Sequence, residues 1–295
     1  MKSSTKIWLG VGVFAVVGSS TAPLHATETD AAAFDRPASI GDLKNSGSRL
    51  PASDWRIAAA KESGEAGPGG EGGEGGEAGI DVAAAETDPV EYGVALQVIA
   101  AHYYAGLAAY EAKETDAGAQ IFAHGLSEVY VEMEAVFRKR GVTDLGKKLE
   151  AAVQAASSHA PNDKVRRSVN AVLTALAAAK KASPKSGAST LTVGTEIVAN
   201  LINRAATQYN AARDDKALEP YLDGLGFVVA ARTEAAKLLP QLRRTHKQKA
   251  ATIEAALKLA QQAYPGMRRP DPATVPAGQF LGAASAVMLA ASNWK

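Results

Sequence analysis

Three side chains in the first half of the chain, His102, His124 and Glu128, are of types that together bind metal ions. Neutral imidazole nitrogens and carboxylate oxygens are ligands for Zn, Cu(II) and Fe. Glu128 follows His124 by four residues, so on a helix the two side chains stand one turn apart on the same face. They form a candidate site with His102 only if the chain brings that histidine alongside this face.

The segments around these residues predict two antiparallel helices joined by a turn near residue 114. His102 lies about 12 residues before the turn and His124 about 10 after it, so a rise of about 1.5 Å per residue places them at nearly the same height. His102 shares its side of the first helix with small residues such as Gly106, and the apolar core stripe of the second helix points away from His124. If the two small-residue faces pack against each other, the side chains of His102, His124 and Glu128 lie together between the helices. This arrangement predicts a site for one transition-metal ion.

Other polar residues on the same hairpin extend this candidate site, and two plainer interpretations compete with it. Further ligands or hydrogen-bonding partners are available there: Tyr103, Tyr104, Tyr110, Glu111 and Glu132. In the first plainer interpretation, His124 and Glu128 are an exposed pair of small energy. In the second, His102 is a half-buried histidine satisfied by hydrogen bonds within the core.

The compact motifs of common enzymes are missing from the chain. It has no cysteine nucleophile, no G-x-S-x-G turn and no glycine-rich phosphate loop after a strand. The two histidines also lack the H-E-x-x-H spacing of zinc peptidases. The sequence therefore gives no positive indication of an enzyme, and whether the protein catalyses a reaction stays open.

Start and stop signals divide the chain after residue 88 into helices. Asp88-Pro89 predicts a helix start with Asp as the N-cap, and Gly141 predicts the end of the second helix. Pro240 predicts a kink or an end in a later helix. The abundance of Ala, Leu, Glu and Lys, without continuous strand patterns, predicts an all-α fold built as an antiparallel helical bundle.

An internal repeat is visible when the chain is shifted by about 99 residues. Tyr110 then aligns with Tyr209, and Gly125 with Gly224, with no gap at the turn between the helices. The alignment predicts two similar four-helix units, 88–182 and 191–295. Chance similarity between alanine-rich helices is the alternative explanation.

The second unit does not repeat the candidate ligands. The residues at the three equivalent positions are Leu201, Asp223 and Phe227. The sequence therefore predicts that a metal site belongs to the first unit only.

The N-terminal segment predicts export. Two lysines precede an apolar run from Ile7 to Val17, and small residues follow up to Leu24-His25-Ala26, as in a signal peptide of residues 1–26. No cysteine follows for lipid attachment, and no later segment is apolar enough to span a membrane. We therefore expect a periplasmic or secreted protein that does not insert into the membrane after cleavage.

Residues 27–87 differ in composition from the helical part. Their Gly/Glu-rich stretch at 64–79 cannot bury apolar surface, so the sequence predicts a disordered acidic linker. Basic clusters follow in the helical part, but they lack interleaved aromatics and the chain is predicted to be exported, so nucleic acid is not an expected partner. An unidentified protein partner stays open, and the oligomeric state is not indicated.

The stretches HYYAG (His102 to Gly106) and HGLSE (His124 to Glu128) resemble a poorly characterised group of bacterial secreted helical proteins. In that group a Gly/Glu-rich stretch precedes a hairpin with the pattern H-x-x-x-G, L-Y, H-P-x-x-E, and here Gly125 replaces the proline. The resemblance covers about residues 64–150 and implies no established function. A more distant similarity is to imelysin-like proteins, exported proteins of two four-helix halves associated with iron uptake. Their G-x-H-x-x-E motif is one residue shorter than the spacing from His124 to Glu128.

Two hypotheses of function follow from the sequence. The first is a periplasmic protein that binds or handles one transition-metal ion, Cu, Fe or Zn, through His102, His124 and Glu128. The second is a non-catalytic periplasmic interaction or scaffold protein that binds no metal. The positions of the three side chains in the fold bear on the choice between them.

Overall fold

The structure, a computed structural model, describes residues 79–214 and 218–294. The predicted signal peptide and residues 27–78 of the predicted linker lie outside the described residues. Within the described ranges the chain is helical and contains no strand, which confirms the all-α prediction.

A short helix, α1 (Val82–Ala85), leads into the first long helix, α2 (Pro89–Glu111). The predicted start of α2 is confirmed, because the Asp88 side chain accepts a hydrogen bond of 2.8 Å from the backbone N–H of Val90 and Pro89 occupies the first turn. The chain then turns at residues 112–114 and runs back antiparallel to α2. This arrangement is the predicted first hairpin.

The returning arm of this hairpin is a continuous helix with an irregular middle. It consists of α3 (Thr115–His124), a π-helical segment (Gly125–Tyr130) and α4 (Val131–Lys139). The sequence predicts a regular helix here, and the π-helical segment is a departure from that prediction. Such segments carry an extra residue within one turn and often occur at functional sites.

Seven further helical elements complete the described part. In chain order they are α5 (Leu145–Ser157), α6 (Asn162–Ala179), a 3₁₀ turn (Lys180–Ala182), α7 (Thr190–Asp214), α8 (Glu219–Thr245), α9 (Lys247–Ala263) and α10 (Ala277–Ser292). Pro240 does not end α8, which continues to Thr245. Leu239 and Leu242 on either side of the proline are buried, and their burial outweighs the loss of one backbone hydrogen bond.

The core lies where the two long hairpins face each other. Helix α2 packs against α3 within its own hairpin and against α7 and α8 of the other hairpin. Gly226 allows the closest approach of α8 to α2, since a Cβ atom there would lie 2.3 Å from the carbonyl oxygen of Ala101. This contact brings the segment around His102 next to the segment around Asp223.

Buried tyrosines tie the shorter helices to the long ones. The hydroxyl of Tyr110 donates to the carbonyl of Ala160 at 2.7 Å, and the hydroxyl of Tyr209 donates to the carbonyl of Val275 at 2.9 Å. Each bond joins the end of a long helix to the chain entering the last helix of its half. None of the described helices combines the length and the apolar character that crossing a membrane requires.

Candidate functional site

His102 lies near the middle of α2 and is 5 % exposed. Its Nδ1 is 2.8 Å from the carbonyl oxygen of Val98, and because a carbonyl can only accept, this nitrogen carries a proton. Burial lowers the pKa of the imidazole, although the bond to Val98 and the charge of Glu128 act in the opposite direction. His102 is therefore neutral, and its Nε2 presents a lone pair.

His124 and Glu128 stand opposite His102 on the returning arm, as the spacing predicts. The ring centroids of the two histidines are 6.4 Å apart. His124 ends α3, Glu128 lies in the π-helical segment, and Nδ1 of His124 is 3.8 Å from Oε1 of Glu128. The structure thus brings the three predicted residues into one neighbourhood between the helices.

Two carboxylates from α8, Asp223 and Glu219, complete this neighbourhood. Oδ1 of Asp223 is 3.9 Å from Nε2 of His102, and Oε1 of Glu219 is 3.2 Å from Nδ1 of His124. His124 is therefore closer to Glu219 than to its predicted partner Glu128.

Asp223 is the most unusual group of this set. Its side chain is 14 % exposed, and its Oδ1 is buried without a hydrogen-bond partner in the described part of the chain. Burial raises the pKa of this carboxyl to about 7, and Glu219 and Glu128 add to the increase while His124 opposes it. A buried oxygen without a partner costs folding free energy, which is a common signature of a site built for a ligand.

The sequence predicts a site in the first unit alone, whereas the structure places residues of the second half beside His102. Asp223 and Phe227 occupy the positions equivalent to His124 and Glu128, and they line the same cavity as His102. The packing of α8 on α2 brings Asp223 and Phe227 next to His102. The signal in the sequence was an aspartate among the buried residues Leu222 and Leu225, where an apolar residue is expected.

These side chains border a cavity of about 290 Å³ between α2, the π-helical segment, α7 and α8, which we call the interhelical cleft. One side of the cleft is lined by His102, Glu128 and Asp223. Helix α7 lines the other side with Arg204, Thr207 and Gln208. His124 is not among the lining residues and sits behind Glu128, next to Glu219.

The other proposed ligands of the first hairpin do not reach the cleft. The hydroxyls of Tyr103 and Tyr110 donate to the backbone carbonyls of Leu149 and Ala160, and Glu111 pairs with Arg166 at 2.6 Å. Tyr104 and Glu132 do not line the cleft either. The contacts of Tyr103, Tyr110 and Glu111 tie α2 to the chain segments that pack against it.

The arrangement provides two groups aimed at one point and further carboxylates nearby. In the ranges 79–214 and 218–294, no three or more His, Cys, Asp or Glu side chains are already arranged to hold a metal ion. His102 and Asp223 are the pair whose ligand atoms face each other. A third protein ligand would have to come from a rotation of Glu128 or Glu219, which are about one-third exposed, or of His124 beside them.

Comparisons of the chain with protein-family models, with curated proteins and with solved structures give no match.

Proposed function

We propose that the protein binds one transition-metal ion, Cu(II), Fe or Zn, in the interhelical cleft. The observation that carries the proposal is the pair of atoms Nε2 of His102 and Oδ1 of Asp223, which face each other at 3.9 Å. This distance is too long for a hydrogen bond, but it fits two ligands that each lie about 2.0–2.2 Å from one ion at a wide angle.

The hydrogen bond from Nδ1 of His102 to Val98 supports the same role. A metal-binding histidine usually donates its other ring N–H to a carbonyl or carboxylate, which fixes the ring and leaves the second nitrogen for the metal. The bound cation would also neutralise Asp223, whose buried oxygen has no partner among the described residues. Both features favour a cation between the two side chains.

Glu128 and His124 complete the set in this proposal. Glu128 lines the cleft and would rotate onto the ion as a third ligand. His124 would bind directly after a ring rotation, or hold Glu128 and Glu219 in place through its present contacts of 3.8 and 3.2 Å. The set contains nitrogen and oxygen ligands, which suit Cu(II), Zn and Fe.

We infer further that residues 88–182 and 191–295 are two copies of one four-helix unit. The equivalent tyrosines Tyr110 and Tyr209 make equivalent hydrogen bonds to the chain before the fourth helix of each unit. The predicted signal peptide assigns the protein to the periplasm or the exterior, with the acidic segment before residue 79 as its linker.

The test is a titration of the untagged protein with Cu(II), Zn and Fe, together with elemental analysis of the purified protein. We expect one bound equivalent, and we expect His102→Ala to weaken binding by about tenfold or more. His246→Ala is the matched control, because His246 contacts Trp294 far from the cleft, and this variant should bind as the native protein does.

Equal losses in the two histidine variants would place the metal elsewhere. Absence of binding in the native protein would leave the alternative, a non-catalytic interaction or scaffold protein. One feature favours that alternative: Met288 and Leu289 are exposed side by side on α10, where they offer an apolar contact surface.

A further inference from the structure

The two sides of the interhelical cleft differ in chemistry. The side formed by His102, Glu128 and Asp223 offers lone pairs and negative charge. The side formed by α7 offers a guanidinium, a hydroxyl and an amide, from Arg204, Thr207 and Gln208. A bare metal ion uses the first side and has no favourable contact with the guanidinium on the second.

Arg204 is held in place across the cleft. Its Nε donates to Oδ1 of Asn200 and its Nη2 donates to the carbonyl oxygen of Gly79, both at 2.8 Å. Its charge is close enough to His102 to contribute to the lowered pKa of that imidazole. Burial lowers the pKa of Arg204 itself, while Glu91 acts in the opposite direction. A guanidinium fixed near a cation repels it, and an anion bound between the two would relieve that repulsion.

The size of the cleft agrees with a second occupant. Its volume is about 290 Å³. An ion with three water ligands fills about 100 Å³, since each water in the liquid occupies about 30 Å³. The cleft, which is open to solvent, therefore has room for a small organic molecule beside the ion.

The small number of protein ligands also favours a second bound molecule. His102 and Asp223 supply two ligand atoms that face each other. No third His, Cys, Asp or Glu side chain of the described residues is positioned to complete the set. A chelating anion would supply the missing oxygens. A chelating carboxylate would also place negative charge beside Arg204, whose guanidinium pairs well with carboxylates.

We propose that the cleft binds its metal as a ternary complex with a small chelating carboxylate, the metal on His102 and Asp223 and the carboxylate bridging to Arg204, Thr207 and Gln208. This inference rests on the proposed metal binding. The ligand class is a di- or tricarboxylate small enough to fit the cleft. The protein would then recognise a metal chelate rather than a free ion.

The experiment measures retention of radiolabelled malonate and citrate by the full untagged protein in equilibrium dialysis, with and without one equivalent of Zn. We expect one equivalent of at least one of these anions to be retained when Zn is present and none without it. Arg204→Gln should lower this retention by about tenfold or more, because the anion loses its counter-charge. Zn binding in the absence of the anion should change by less than about threefold.

Two further variants separate this role from a folding defect. Arg213→Gln removes an exposed arginine from the same helix and should retain the anion as the native protein does. Thr207→Val, at an exposed position, removes one hydroxyl from the α7 side and should weaken anion retention without changing helix content in circular dichroism.

The outcomes distinguish the two proposals. If Zn binds and neither anion is retained, or if Arg204→Gln retains the anion unchanged, the ternary complex is wrong and the metal site stands. If anion retention does not depend on Zn, the ternary complex is also wrong. If neither Zn nor anion binds, both the metal site and this inference fail.

Discussion

Asp223 and Glu234 are carboxylates of the same helix, and the fold shifts their pKa values in opposite directions. Glu234 is 3 % exposed and accepts hydrogen bonds of 2.6 Å from the ammonium groups of Lys180 and Lys237. Burial alone would raise the pKa of Glu234, but these two ammonium groups outweigh it and hold the pKa below its ordinary value. For Asp223 burial is the dominant influence, and it raises the pKa to about 7.

We expect Asp223→Asn to stabilise the metal-free protein at about pH 8. The carboxyl has a pKa of 3.8 when exposed and about 7 when folded, so folded-state stability falls as pH rises between these values. The gain in the free energy of unfolding should be about 1–3 kcal/mol at pH 8 and should vanish toward pH 4. Urea denaturation of chelator-treated protein at the two pH values measures it. An asparagine variant less stable than the native protein at pH 8 would contradict this account.

The opposite pH profile is expected for Glu234→Gln. Because the folded pKa of Glu234 lies below 4.5, the ionised group stabilises the fold above that pH, and the contribution is lost as pH falls through the folded value. The variant should lose about 1–2 kcal/mol at pH 7, a range reduced for the partial exposure of the two lysines, and the loss should shrink as the pH falls below 4.5.

Urea denaturation of Glu234→Gln can be compared with Glu134→Gln, which removes a carboxylate from the exposed pair with Arg138. That control should change stability by about 0.5 kcal/mol or less. Equal losses in the two variants would show that the buried cluster around Glu234 adds nothing beyond a surface ion pair.

At the scale of elements, the contact between α2 and α8 positions the site. Gly226 lies against the backbone of Ala101, the neighbour of His102, and is three residues from Asp223. Nothing larger than hydrogen fits there, so the distance between the two helices is set by this residue. The separation of His102 from Asp223 depends on it.

We therefore expect Gly226→Ala to destabilise the protein by about 1–3 kcal/mol, through overpacking against a carbonyl that cannot move alone. Gly282→Ala is the matched control, because Gly282 lies in α10 with no atom within 4 Å of the added Cβ. That variant should be neutral or gain up to about 1 kcal/mol from helix propensity. Thermal unfolding of both variants measures the difference, and equal melting temperatures would show that α8 can move away from α2 without loss.

The elements that could be predicted are those determined by residues close together in the sequence. The Asp88 cap and the matched heights of His102 and His124 depend on residues close in sequence and on helix geometry, and the sequence was sufficient for both. The π-helical segment could not be predicted, because it is a local adjustment of helix geometry with no strong composition signal. The contribution of Asp223 was missed because it depends on how α8 packs against α2.

At the scale of the molecule, the two hairpins share one core rather than forming two. The buried apolar residues of the described chain form a single cluster that includes Tyr92 and Phe137 of the first half and Tyr209 and Phe280 of the second. Helix α2 contributes to the packing of both halves. Part of the apolar surface of each half is therefore buried by the other half.

We expect unfolding to be one cooperative transition. Far-ultraviolet circular dichroism, which reports helix, and near-ultraviolet dichroism, which reports aromatic packing, should give coincident curves in urea. Two separate midpoints would show that the halves fold independently and that the shared surface of α2 is a weak interface.

The buried tyrosines determine how the ultraviolet absorbance of the protein responds to alkali. Tyr103, Tyr221 and Tyr264 donate their hydroxyls to carbonyls inside the fold, and burial raises the pKa of each above 10. A phenol held in this way ionises at a higher pH than an exposed phenol. In alkaline solution the ultraviolet absorbance of phenolate therefore rises when the helices unpack. That absorbance reports whether the fold is intact.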